Sequence, residues 1–323
     1  MINIIDAADL LSRPPVPIEW AVHNLLPVSV VCDIFGPPGA GKSTLLTDLA
    51  LTVAGETGNW HGRACFGGNV VILGGERTDQ GALSRDMHRT KRPAPPKGNL
   101  VIPVDDSGDC PPIFRWNKKA MDGAGRWELT SWGEKITDFL TGAAPVMVII
   151  DTILSAAQGC DLLDQPQQYA LGQYIRWWSK QIGEPVTISA SHTNQASGGA
   201  TIKLQERLDY LSRAGGNGFP GALRHLGGLT KVRPDEAQAL GLPTDDKTMF
   251  AFGFSKHNES PPTDWTHYSP AIFSQKGGKI ELVMEGQEVE RLGELKERAD
   301  AAVKSAKAQG NGVQARSDDE DDY

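Results

Sequence analysis

The chain has 323 residues, is 39 % hydrophobic and 22 % charged, and carries a formal net charge of −8. Such a composition suits an ordinary globular protein, and the length suits either two domains or one α/β core with insertions and a tail. No apolar run approaches the roughly 18 residues of a membrane span, and Met1–Asp6 lacks the basic start of a signal peptide, so no membrane partner and a cytoplasmic location are expected.

Residues 1–12 read as a short amphipathic helix, ended by Arg13-Pro-Pro-Val-Pro17. The segment Val30–Phe35 reads as a buried strand, and Ser43–Ala54 as a helix with Leu45, Leu46, Leu49 and Val53 on one side. Between them, Gly36-Pro-Pro-Gly-Ala-Gly-Lys-Ser-Thr44 fits the phosphate-loop pattern G-x-x-x-x-G-K-[ST]. A strand, a Gly-rich turn and a helix aim a run of backbone N–H groups at a phosphate. Gly36, Gly39, Ala40, Gly41, Lys42, Ser43 and Thr44 are the expected ATP-binding residues. Lys42 would bridge the β- and γ-phosphates, and the Ser43 hydroxyl would ligate Mg²⁺.

A second strand, Asn69–Leu73, stops at Gly74-Gly75-Glu76, and a basic helix follows over about Gln80–Arg89. A short strand is expected near Val101–Val104, an irregular surface excursion over 105–126, and a helix over Trp127–Leu140. Pro145–Ile150 is a continuous apolar strand tipped by Asp151, as a central parallel strand requires. Gln165–Ile182 reads as a long helix with a core-facing stripe of Tyr169, Leu171, Tyr174, Ile175 and Trp178. The strand Val186–Ser191 ends at His192. Gly/Ser clusters then flank a helical segment (Ile202, Leu204, Leu208, Leu211), and strand-like runs lie around 226–232, 247–256 and 279–284. A charged helix near 287–307 leads into an acidic end.

Strands alternating with helices predict a mostly parallel sheet whose ligands gather at the carboxyl ends of the strands. Glu76, Asp151 and His192 all fall at such ends. Asp151 suits the acid that holds Mg²⁺ with Ser43. The residue after it is Thr152, not Glu, so the base that polarises the attacking water is assigned to Glu76. His192 suits a γ-phosphate sensor. Cys32, Cys65, Cys110 and Cys160 are widely spaced with no C-x-x-C, which fits free thiols in a reducing compartment rather than zinc.

Taken in order, these residues resemble the RecA-like ATPases, and more narrowly the RepA-type hexameric replicative helicases of plasmids and their phage relatives. The resemblance runs over about residues 2–285: Asn3-Ile-Ile-Asp6, Gly36–Thr44, Val70–Glu76, Ile150-Asp151-Thr152, Ser191-His192-Thr193, Ala222-Leu-Arg224 and Phe252-Gly-Phe-Ser-Lys-His-Asn258. It implies a lead-in segment (1–27), an α/β core of RecA-like P-loop NTPase type (28–285) with a mostly parallel sheet flanked by helices and extra C-terminal strands, a terminal helix (286–308) and a disordered acidic tail (309–323). It also implies a homo-oligomer, a hexameric ring, in which each ATP lies at a subunit boundary. Arg224 matches the position of the arginine that reaches a neighbour's γ-phosphate, and Lys256 a second cation for the same phosphates; a surface ion pair is the alternative for each.

The expected partner is single-stranded DNA. Two features depart from the family: Asn194-Gln195 replaces a basic residue after His192, and loop 153–166 holds no Lys or Arg. DNA contact is therefore assigned to Lys203, Arg207 and Arg213, the first two being four residues apart on a predicted helix. The acidic run Asp318–Asp322 supplies five of the chain's negative charges, either as a solubilising end or as a dock for a replication partner. Two other activities fit the same motifs: a strand-exchange ATPase that forms filaments, and an ATP-switched loader or regulator that unwinds nothing.

Overall fold

The continuous apolar runs of the sequence become the middle of one nine-stranded sheet. The computed structural model describes residues 6–55, 58–74, 80–120, 123–159, 161, 164–193, 202–212, 218–243, 248–257, 265–277, 279–289 and 291–292. The strands, in chain order, are β1 (Val31–Gly36), β2 (Val70–Leu73), β3 (Leu100–Val101), β4 (Met147–Ile150), β5 (Val186–His192), β6 (His225–Lys231), β7 (Thr248–His257), β8 (Ala271–Lys276) and β9 (Lys279–Met284). Their spatial order is β9-β8-β7-β6-β1-β5-β4-β2-β3. From β6 to β3 every pairing is parallel, whereas β6-β7-β8-β9 is antiparallel. The four main helices are α1 (Lys42–Ala54), α2 (Gln80–Arg89), α3 (Ser131–Ala143) and α4 (Gln165–Gln181). The expected mixed α/β fold, a P-loop NTPase type with helices around a mostly parallel sheet and extra C-terminal strands, is the fold observed.

Because successive side chains of a strand point to opposite faces, β1 sends Cys32 and Ile34 into one core and Val31 and Phe35 into the other. The first core takes Leu45, Leu46, Leu49 and Val53 of α1, the four residues expected to face inward. The second takes Ile136 and Leu140 of α3 and Leu171, Ile175 and Trp178 of α4. Within that α4 stripe Tyr169 is the exception, 45 % exposed. Asp48 anchors the far side of α1: its carboxylate accepts from Trp60 Nε1 (2.9 Å) and from Arg92 Nε and a terminal NH₂ group (2.7 and 2.9 Å), with His61 Nε2 at 3.0 Å.

Two local expectations are corrected. Residues 105–126 are not an irregular excursion throughout, because Phe114–Asn117 is a strand paired antiparallel with Arg126–Leu129 and parallel with Ala157–Gln158. That last pairing joins segments some forty residues apart, so no local pattern carries it. Trp127 accordingly lies in a strand rather than a helix, and α3 begins after Thr130, whose hydroxyl accepts from Gly133 N at 3.0 Å as an N-cap. In addition, Ala271–Lys276 is a strand outside the expected runs; it pairs with both β7 and β9. The N-terminal helix is shortened to Ala7–Leu11, capped by Asp6, and buries no residue. Residues 3–5 of the opening motif, most of the 286–308 helix and the whole 309–323 tail lie outside the described residues.

Candidate nucleotide-binding site

The loop after β1 has the conformation its glycines permit: Gly39 and Gly41 sit at φ +71° and +92°, a region glycine enters without the Cβ penalty. Helix α1 then starts at Lys42, so its unpaired amides and positive dipole end face the loop. Ala40 is buried, and Ser43 and Thr44 are partly exposed at the mouth. The Lys42 ammonium is 6 % exposed and folds back across the loop, donating to Gly36 O at 2.7 Å and Pro37 O at 3.2 Å. It also lies 3.3 Å from His192 Nδ1.

That last contact follows from the sheet order. Strand β5 lies directly beside β1, and the parallel register sets His192 opposite Gly36. Thr193 N donates to Gly36 O at 3.3 Å and ties the end of β5 to the loop. His192 therefore touches the lysine that would hold the phosphates. Behind the loop, the buried Asp33 carboxylate accepts from Ser189 Oγ at 2.7 Å and Ser191 Oγ at 2.6 Å. This brace was not anticipated, although a lone acid inside the apolar run Val30–Phe35 was its visible signal.

Asp151 is two strands away from β1, with β5 between, and β2 lies one further out. Asp151 N donates to Leu73 O at 2.8 Å. Gly74 continues β2 at φ +150°, and a Cβ there would come within 1.9 Å of Asp151 O; only glycine allows so close an approach. The Asp151–Thr152 peptide is cis. Gly74 N also donates to Cys110 Sγ at 3.3 Å. Cys110 is buried, and that burial raises its thiol pKa, so it serves here as a neutral acceptor. The base assigned to Glu76 lies outside the described residues, two positions past this pinned glycine.

A cavity of about 20 Å³ has both Ser43 and Asp151 in its wall, with Thr47 and Gly74 beside them. The rest of its wall is apolar: Leu46, Ile72, Leu83, Met87, Ile102 and Ile149. A hydroxyl and a carboxylate are hard oxygen donors, the set that suits Mg²⁺ when nucleotide phosphates complete its coordination, so these residues fit the expected metal.

Arg224 and Lys256 are elsewhere. Strand β6 runs parallel to β1, with His225 opposite Cys32. Arg224 is therefore level with Val31, about 17 Å along the strand direction from Gly36. Lys256 on β7 pairs with Leu226 at that same end, and its Nζ donates to Pro220 O at 3.3 Å. Partial burial lowers the Lys256 pKa, and the nearby positive charge of Arg224 lowers it further. Arg224 is exposed, and among the described residues neither cation joins an ion pair.

Of the residues expected to face DNA, Arg207 is corrected. Its guanidinium is 8 % exposed, donates to both carboxylate oxygens of Glu236 (2.8 and 2.6 Å) and to Lys231 O at 3.2 Å, and so stitches Leu204–Leu208 to Pro234–Ala239. Lys203 is exposed but precedes that helix as its N-cap residue, so the two do not form a shared cationic face. Arg213 lies outside the described residues, as do Asn194 and Gln195.

Cys32 and Cys110 are buried, Cys65 is partly so, and all three are free thiols; Cys160 is outside the described residues. No helix among the described residues is long and apolar enough to cross a membrane. A comparison with curated proteins returned no significant match. The family profile described as an AAA domain matches residues 3–198, which is more than half of the chain, and with the phosphate loop, the acid-tipped strand and the His192 strand end meeting as they do, the chain belongs to that family of P-loop ATPases.

Proposed function

We propose that the protein is an ATP-driven, ring-forming motor, a hexameric helicase or translocase acting on single-stranded DNA in plasmid or phage replication. The observation that carries this reading is the distance between the phosphate loop and the Arg224–Lys256 pair. Two adjacent cations that join no ion pair among the described residues repel each other, and they lie about 17 Å from the chain's own loop. A phosphate supplied by a neighbouring subunit relieves that repulsion. A head-to-tail interface of this kind closes into a ring when its rotation permits.

In this mechanism the loop amides and Lys42 bind the phosphates, and Ser43 and Asp151 hold Mg²⁺. An ion held there would supply charge compensation for the transferred phosphoryl group. Glu76 accepts a proton from the attacking water. Arg224 of one subunit and Lys256 beside it stabilise the transition state in the next subunit's site. His192 senses whether Lys42 is engaged by phosphate or by the Gly36 and Pro37 carbonyls, and passes that state along β5 to the segment after Thr193. Lys203 and Arg213 remain proposed DNA contacts, and the acidic tail a proposed dock for a replication partner.

A forked duplex with a 5′ or a 3′ single-stranded tail is the test. ATP-dependent strand displacement from one tail polarity is expected. DNA-stimulated ATP hydrolysis with no displacement would refute the helicase reading in favour of a loader. Helical filaments in electron micrographs with a non-hydrolysable nucleotide would refute the ring.

A further inference from the structure

The segment after Asp151 offers DNA no cation: residues 153–166 contain neither Lys nor Arg. The tertiary structure lays a basic hairpin against it. Ala157 and Gln158 pair with Phe114 and Arg115, and Ile113 N donates to Ala156 O at 2.8 Å. In sequence, residues 114–129 hold Arg115, Lys118, Lys119 and Arg126 against Asp122 and Glu128, a surplus of two positive charges in a chain of net −8.

The hairpin also walls an open groove of about 820 Å³ with α4, whose lining includes Arg115, Trp116, Arg126, Glu128, Glu134 and Tyr174. Trp116 is partly exposed and lies over Gly125, where a Cβ would meet its ring at 2.4 Å. Glycine at 125 is what lets the indole lie flat against the hairpin. Tyr174 continues the aromatic surface, 5.1 Å from the half-exposed Trp177. Glu128 accepts from Arg126 Nε at 2.8 Å, from Asn117 Nδ2 at 3.1 Å and from Arg115 at 3.4 Å. One carboxylate thus fixes two guanidinium groups at the mouth; with Glu134 the lining balances two cations against two acids, and the positive surplus sits on Lys118 and Lys119 beside it. Lys118 and Lys119 are exposed and join no ion pair among the described residues.

We propose that this groove, between the Phe114–Leu129 hairpin and α4, is a single-stranded DNA contact, with Arg115, Lys118, Lys119 and Arg126 on phosphates and Trp116 and Tyr174 beneath unstacked bases. The inference rests on the DNA-motor reading and names a surface for it. A cationic track beside aromatic faces holds single strands without sequence preference, because every base has a π-face. The hydrogen bonds from 113–115 to 156–158 connect the groove, within six residues, to the acid that holds Mg²⁺. The nucleotide state can therefore reach the strand through one short segment.

The test uses the full chain with Mg²⁺ and a non-hydrolysable ATP analogue, a fluorescein-labelled oligo-dT and anisotropy over a salt series. The variant Lys118→Glu/Lys119→Glu lies on the exposed turn, away from both cores. It should weaken binding by at least about tenfold and lower the slope of log K against log salt by about 1.4, two phosphate contacts' worth. DNA-free ATP hydrolysis and the melting temperature should stay as in the wild type. Iododeoxyuridine in the oligonucleotide should photo-crosslink to Trp116 or Tyr174, and a duplex of equal length should compete poorly. Wild-type affinity and salt slope in the variant, crosslinks confined to other segments, or equal competition by duplex would each overturn the groove alone. A wild-type chain that binds no DNA would overturn the DNA-motor reading along with it.

Discussion

If Arg224 serves a neighbour's nucleotide, subunits inactivated on opposite sides of the boundary should rescue one another. Arg224→Ala removes the far-edge cation and leaves the phosphate loop of its own subunit intact, because the two are about 17 Å apart along the sheet. Loss of such an arginine lowers turnover by about 10³–10⁵ in related NTPases. Glu76→Gln should silence the base but keep Arg224 available to the next subunit. In a 1:1 mixture, a working boundary needs an Arg224→Ala subunit on the nucleotide side and a Glu76→Gln subunit on the arginine side. Random head-to-tail assembly makes about one boundary in four of that kind, so the mixture should recover up to about a quarter of wild-type steady-state ATP hydrolysis from two inactive parents. The assay is phosphate release after mixing, with co-assembly verified by native mass measurement. Mixed rings that hydrolyse no faster than the parents would refute action in trans, and with it the role drawn from the far-edge cation pair.

Two further outcomes follow from the geometry. Gly74→Ala should place a methyl group only 1.9 Å from Asp151 O and push the ends of β2 and β4 apart. Displacements of that order cost on the order of 10²-fold in rate, while binding of a fluorescent ATP analogue to the phosphate loop should change little; wild-type turnover would contradict the packing argument. His225 governs an acid-side loss of stability. It is fully buried, Nε2 donates to Leu25 O at 2.8 Å, and Nδ1 has no hydrogen-bond partner among the described residues. Burial pulls its pKa down to about 4 from 6.5. The unfolded chain then takes up a proton near pH 6.5 that the native state refuses until about pH 4, so stability is complete above 6.5 and falls as pH drops through that window. Between pH 7 and pH 5 the loss from this group is about 2 kcal/mol. Urea unfolding at the two pH values should show it, and His225→Phe should remove that share of the slope; an unchanged slope would refute the assignment.

The local part of the site was legible in the sequence. Gly36–Thr44, the strand tipped by Asp151 and the strand ending at His192 each declare themselves within ten residues, since phosphate loops and central parallel strands are set by backbone geometry and uninterrupted apolar character. The strand-to-helix alternation likewise sufficed for the α/β sheet. What escaped was set by partners far along the chain. Phe114–Asn117 looked irregular because its neighbours are 126–129 and 157–158. Arg207 looked like a surface cation because Glu236, which neutralises it, is twenty-nine residues on. Cys110 showed no sign that it would hold Gly74.

The sequence by itself therefore determined that this chain carries a P-loop ATPase core and where its phosphate loop and acid-tipped strand lie, because those features reside in contiguous backbone. Only the tertiary structure decided the company they keep. Inserting β5 between β1 and β4 brings His192 onto Lys42, and the parallel register of β6 carries Arg224 away from the loop, to the opposite end of the strands. Strand order and register depend on which apolar faces pack best against one another over the whole chain, and no single stretch of residues encodes that choice.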